Sequence, residues 1–233
     1  KKMNRVIKVA RMQLINKGTF IGIPLIILGA SFLFTLAIWW LVRRNGGDGA
    51  MYGGGAQAPM WYFLALGIQS LTLTFPFSMA MSISRRTFYL GTVALFSVCA
   101  LALSVFYYLM GLLEVATDGW GMGGQFFALQ WIADNNWLVQ ILFYFVLMVL
   151  LFMIGFLAAT IYMRWRTTGM VAFFICLGVL VLGIIALFTF TNSWGEFWRW
   201  ALTWTAAGVT LWGGIVALLM AGGSYLTLRK ATA

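Results

Sequence analysis

The sequence predicts an all-α polytopic membrane protein: six transmembrane helices, an N-terminal interfacial amphipathic helix, and a short external helical element before the last span. Three observations lead there. Hydrophobic residues make up 63% of the 233 positions and charged residues only 9%, too little polar surface to clothe a water-soluble core. The apolar residues come in runs of about 20, the length a helix needs to cross a bilayer's hydrocarbon layer. The cations gather in the connectors between alternate runs, as topology requires.

The chain, 1–233, reads as one transmembrane domain: an interfacial helix over 1–17, a bundle over 19–227 and a tail over 228–233. Wound as a helix, the opening segment puts Met3, Val6, Ile7, Ala10 and Leu14 on one face. Lys1, Arg5, Lys8 and Arg11 fall on the other, so it should lie flat among lipid headgroups. The apolar run after it is too long for the core of a cleaved signal. The spans are expected at 19–42, 59–81, 89–113, 137–161, 169–190 and 206–227, joined by connectors at 43–58, 82–88, 114–136, 162–168 and 191–205.

An even span count puts both termini on one side, and charge selects the cytoplasm. Lys1, Lys2, Arg5, Lys8, Arg11, Lys17, Arg85, Arg86, Arg164, Arg166, Arg229 and Lys230 then lie inside, against Arg43, Arg44 and Arg199 outside. The net charge of +10 is accordingly read as topology, not as a nucleic-acid footprint. Cys99 and Cys176 lie in apolar runs and read as packing residues.

Of the external connectors, the first, NGGDGAMYGGGAQA, is expected to be a flexible glycine-rich loop. The second ends in Phe126, Phe127, Trp131 and Trp137, an aromatic belt at headgroup level. In the third, TNSWGEFWRWALTW, Ser193 and Glu196 have capping-box spacing. A short outer-leaflet helix should start near Trp194, with Glu196 and Arg199 close enough to pair. Gly18 and Gly22 are spaced for close helix contact, and Pro76 should bend the second span.

No Asp, Glu, His, Lys or Arg falls in the middle third of any span, which argues against a proton-coupled carrier. The chain has no histidine, no catalytic constellation and no phosphate-cradling GxxxxGK[ST] loop, so no enzymatic role or cofactor is expected within it. Between the second and third spans lies MSISRRTFYLG, residues 81–91. Ser84 is a plausible helix start, Arg85, Arg86 and Thr87 follow, and Phe88 and Tyr89 are expected on the exposed shoulder. Arginine with aromatics suits docking of a soluble partner.

With its basic opening segment, this SISRRTFYLG connector and an external helix between spans five and six, the sequence resembles the membrane subunits of type-2 ATP-binding-cassette exporters. The likeness spans essentially the whole chain. It implies a bacterial cytoplasmic-membrane permease that pairs with a second permease subunit, identical or related. It also implies cytoplasmic ATPase subunits that bind ATP and Mg, carried on a separate chain. The resemblance makes Ser84, Arg85, Arg86, Thr87, Phe88 and Tyr89 the coupling helix. Residues 193–203, with Ser193, Glu196 and Arg199, become the external re-entrant element. Spans two and five would line the path, with Thr72, Thr74, Phe75, Ser78, Phe173, Phe174 and Phe188 as candidates. That neutral, aromatic lining suits an amphiphilic or hydrophobic substrate. A competing reading is a non-transporting membrane scaffold or sensor that recruits a cytoplasmic partner.

Overall fold

The computed structural model describes residues 18–47, 49 and 51–230, together with Val9 and Gln13. Apart from those two positions, the interfacial helix expected over 1–17 lies outside the described residues. Val9 and Gln13 are both buried, and Gln13 Nε2 donates to Thr92 Oγ1 at 2.9 Å.

The chain is almost wholly helical. A π-helical turn, Gly18–Gly22, leads into α1, Ile23–Arg44. A short strand β1, Met51–Tyr52, and a 3-10 turn, Gly54–Gln57, precede α2, Ala58–Gln69. A second π-turn, Ser70–Thr74, joins α2 to α3, Phe75–Ala80. Then come α4, Arg85–Ala116; β2, Gly124–Gln125; and a short α5, Gln130–Ala133. The longest helical run is α6, Trp137–Phe190, followed by α7, Trp194–Leu202, and α8, Ala206–Lys230. Among the described residues, five helical stretches are long and apolar enough to cross a membrane: Gly18–Arg44, Gly54–Ala80, Arg85–Ala116, Trp137–Phe190 and Ala206–Leu228.

All three prolines sit in the first turn of a helix. Behind Pro24 and Pro76 the chain is already helical, in the Gly18–Gly22 and Ser70–Thr74 π-turns, so each removes a donor from a continuing helix. Pro76 shows the consequence. Its ring excludes a regular turn behind it, and the chain answers with the widened Ser70–Thr74 turn. The regular helix expected to bend near Pro76 is interrupted there by this π-turn.

As a straight rod the 54 residues of α6 would measure about 80 Å, against a hydrocarbon layer of about 30 Å. The rod is broken at Arg166, whose φ of 54° and ψ of −151° are non-helical. The packing requires a reversal there. Trp131, just before α6, donates to Trp204 O, just before α8. Further along, Val146 faces Gly213 and Gly214. Further still, the Tyr89 ring touches both Phe156 and Tyr225. The first arm of α6 and α8 therefore run parallel, in register. From Phe190 to Trp204 is fourteen residues, at most about 50 Å when fully extended. An unreversed second arm would end too far away to be reached. At the turn, a Cβ on Gly169 would fall 2.3 Å from Trp165 Cβ, whereas Cβ atoms four apart in a continuous helix are about 5–6 Å apart. The connector expected over 162–168 thus collapses to a single strained residue.

The core centres on the first arm of α6, which is flanked by α2, α4 and α8. At the crossing with α2, a Cβ on Gly67 would meet Phe152 O at 2.2 Å. One on Gly155 would meet Leu64 O at 2.1 Å. The two backbones touch, and Phe63, Leu66, Met148, Phe152 and Phe156 close around them, all buried. Phe96 of α4 stacks on Phe152 with centroids 4.1 Å apart. Gly22, expected at such a contact, has nothing within 4 Å.

From 161 to 205 no residue is buried, so the second arm of α6 and all of α7 expose their side chains. Charge divides between the ends. Arg85, Arg86, Arg164 and Arg166 lie at one, and every described acid lies at the other with Arg43, Arg44 and Arg199.

Gly155→Ala is expected to abolish folded, monodisperse protein on gel filtration. A backbone carbonyl cannot yield as a side chain does, so the cost should exceed the ~1–3 kcal/mol typical of overpacking. Gly178→Ala, with nothing within 4 Å, should leave the elution profile unchanged.

Candidate functional site

The basic end is built around the start of α4. α3 stops where Ser82 takes a φ of 57°, and the chain re-enters helix through Ser84 in extended backbone. Ser84 Oγ accepts from Thr87 N at 3.3 Å and lies 2.7 Å from Thr87 Oγ1. The helix start expected at Ser84 is formed, and its side chain caps it. Arg86 is exposed, while Arg85 and Thr87 are half-buried.

Phe88 and Tyr89 depart from expectation. Both were expected on an exposed shoulder, yet Phe88 is 0% exposed and Tyr89 7%. The reason is helical phase: positions 88 and 89 point back over the preceding turn into the bundle. Phe88 packs edge-on against Phe75 of α3 at 5.3 Å. Tyr89 packs against Phe156 and Tyr225, and its hydroxyl donates to Ala221 O at 2.7 Å. The arginines stand on a helix start fastened to three neighbouring elements.

Residues expected to line a common path do not share one surface within the chain. Phe75 and Ser78 are buried, and Ser78 Oγ donates to Thr74 O at 2.9 Å. Thr72 faces outward, its hydroxyl donating to Ile68 O at 3.1 Å, and Thr74 is half-buried. Phe173 and Phe174 are exposed on the second arm of α6. Phe188, half-buried, packs instead on Trp194 and Phe197 of α7.

The short helix expected from Trp194 is present as α7, but its capping box is not formed. Ser193 has φ −92° and ψ 10°, not the extended backbone a cap requires, and its hydroxyl turns to Thr191 O. Arg199 donates from Nε to Gly195 O rather than meeting Glu196.

The acidic end holds what sequence reasoning missed. Glu114, read as a loop acid, is 2% exposed. Its carboxylate accepts from Phe126 N at 2.9 Å, Phe127 N at 3.1 Å, Ala128 N at 2.9 Å and Trp120 Nε1 at 2.8 Å. Four donors replace the water that a buried charge loses. Tyr144 OH donates to Phe127 O at 2.7 Å, and Tyr107 OH donates to Ala56 O. Arg43 clamps Met122 O from Nε and Nη2 at 3.1 and 2.8 Å.

The two loops pair with each other, Met51 with Gly124 and Tyr52 with Gln125, in parallel. The described part of the first loop is therefore not the free linker its composition suggests. Its glycines permit contact: a Cβ on Gly53 would lie 2.7 Å from Phe126, and one on Gly124 would lie 2.2 Å from Trp39. Phe126 and Phe127 form core instead of belt, packing with Phe32 at 5.2 and 5.6 Å. Trp131 and Trp137 stay exposed, as a belt requires. The sequence signal for Glu114 was slight: one acid flush with the end of a span, ahead of glycines and aromatics.

Compared with family models, with curated proteins and with solved structures, the chain matches none.

Replacing Glu114 with Ala strands four donors, each costing ~1–3 kcal/mol when buried unpaired. Glu114→Ala should lower the thermal midpoint well below that of Glu114→Gln, which keeps one acceptor. Hydrogen exchange at the amides of 126–128 should accelerate in the alanine variant first.

Proposed function

We propose that this chain is the membrane-embedded permease half of an ATP-driven exporter, coupled at its basic end to a separate cytoplasmic ATPase that binds ATP and Mg. The single observation carrying the reading is the build of residues 84–89. A capped helix start presents Arg85 and Arg86, while Phe88 and Tyr89 fasten it to α3, the first arm of α6 and α8. A push on the arginines passes into all three at once. Such a knob suits the transmission of a partner's motion, because rigid elements move together and soft ones absorb the displacement.

In this reading the two arms of α6 cross separately, giving six spans. The basic end is cytoplasmic by the distribution of Lys and Arg, and both termini lie there. The second arm buries none of its side chains among the described residues, and half-covers Phe188 against α7. A second permease subunit would cover it and enclose a path between copies, bringing outward-facing Thr72, Phe173 and Phe174 to one wall. An amphiphilic or hydrophobic substrate suits such a lining. The chain supplies differential contacts to two states, and ATP hydrolysis in the partner selects between them. The scaffold or sensor reading draws on the separation of the path residues within one chain.

Phe88→Ala cannot report on docking, since emptying a buried phenylalanine site costs ~3–5 kcal/mol. Arg85→Glu can. Wild-type chain purified from its native membrane in mild detergent should retain an ATPase subunit stoichiometrically. Arg85→Glu should retain it about tenfold less or worse, with an unchanged gel-filtration profile. Retention of a partner lacking ATPase activity would favour the scaffold; equal retention by both forms would refute the docking role.

A further inference from the structure

At the basic end a groove of about 330 Å³ opens between α4 and α8, lined by Arg86, Tyr89, Leu90, Ala221, Gly222 and Tyr225. We propose that it holds one anionic glycerophospholipid, its phosphate at Arg86 and an acyl chain running inward past Leu90, Ala221 and Gly222. The inference rests on the membrane-spanning nature of these helices and not on the exporter reading.

Depth places the two halves of such a ligand. The 32 residues of α4 measure about 48 Å, so both ends overshoot a hydrocarbon layer of about 30 Å. Leu90, about 15 Å from the helix midpoint, stands at the hydrocarbon boundary, and Arg86, one turn further out, stands among headgroups. The lining changes character at the same level, from a guanidinium to an apolar floor. The floor is open because α8 carries glycine there: a Cβ on Gly222 or Gly223 would meet nothing within 4 Å. Tyr89 forms a fixed wall, its hydroxyl already committed to Ala221 O.

Charge selects the headgroup. Arg85, Arg86, Arg164 and Arg166 share this end, and no acid stands there among the described residues. A basic recess between membrane helices favours an anionic lipid over a zwitterionic one.

The test is native mass spectrometry of the full chain in detergent. The micelles carry equal amounts of phosphatidylglycerol and phosphatidylcholine with matched acyl chains. Wild type should retain one phosphatidylglycerol in preference, by about fivefold or more. Arg86→Gln should bring the two lipids near parity, and Arg86→Lys should restore most of the preference. Gly222→Leu should lower retention of both lipids, because it fills the acyl floor. Tryptophan fluorescence and gel filtration check folding, which neither an exposed arginine nor an open glycine position should disturb. No preference in wild type, or undiminished retention by both Arg86→Gln and Gly222→Leu, would overturn the proposal. So would displacement of the lipid by millimolar inorganic phosphate, which marks a free-anion site, or a wild-type dimer that excludes lipid. None of these readouts involves ATP, so failure here and failure of the exporter reading are separable.

Discussion

Two backbones pressed together with no side chain between them set the geometry of the bundle. Gly67 and Gly155 let α2 and the first arm of α6 approach until carbonyl oxygens lie where a Cβ would otherwise be. Inside a bilayer, helices gain little from hiding apolar surface, since lipid tails are as apolar as leucine. Close dispersion contact has to supply the attraction, and it falls off steeply with a gap of even an ångström. The ring of buried phenylalanines and methionines around this crossing is effective because the crossing is so close. α4 joins it through the stack of Phe96 on Phe152, and α8 joins through Gly213 and Gly214 against Val146.

From that crossing the two ends diverge in chemistry. One is a cap: two loops paired through a parallel bridge, closed over an aromatic cluster and held by Glu114 and Arg43. Its polar groups are satisfied internally, as a buried loop demands. At the other end, no paired loops close over the bundle among the described residues. There the chain turns sharply, at Ser82 and at Arg166, and leaves arginines at the rim. A loop-capped end opposite a cationic one is the arrangement from which the docking and lipid readings both start.

Much of this was legible in residue order. Apolar run length located the long helical segments, although the two expected at 137–161 and 169–190 fall in one helical stretch, Trp137–Phe190. Ser84 signalled its helix, and Pro76 signalled a distortion. What could not be read was facing. In a helix apolar all round, period carries no contrast, so nothing marked Phe88 and Tyr89 as inward. The glycines around 53–55 were read as freedom when they serve contact, because composition cannot say what approaches a missing side chain. Glu114 was hidden for a related reason. Its partners are backbone amides in another stretch of chain, and amides leave no trace in sequence.

The bond from Tyr89 to the carbonyl of Ala221 joins residues 132 positions apart. A ribosome adding about 5–20 residues per second needs roughly 7–26 s to get from one to the other. Throughout that interval the phenol has no acceptor from α8, and the arginine pair rides on a helix start lacking one of its fastenings. Chains that do not yet carry α8 therefore display the basic surface with part of its bracing missing, and the joint becomes complete only once α8 has been made.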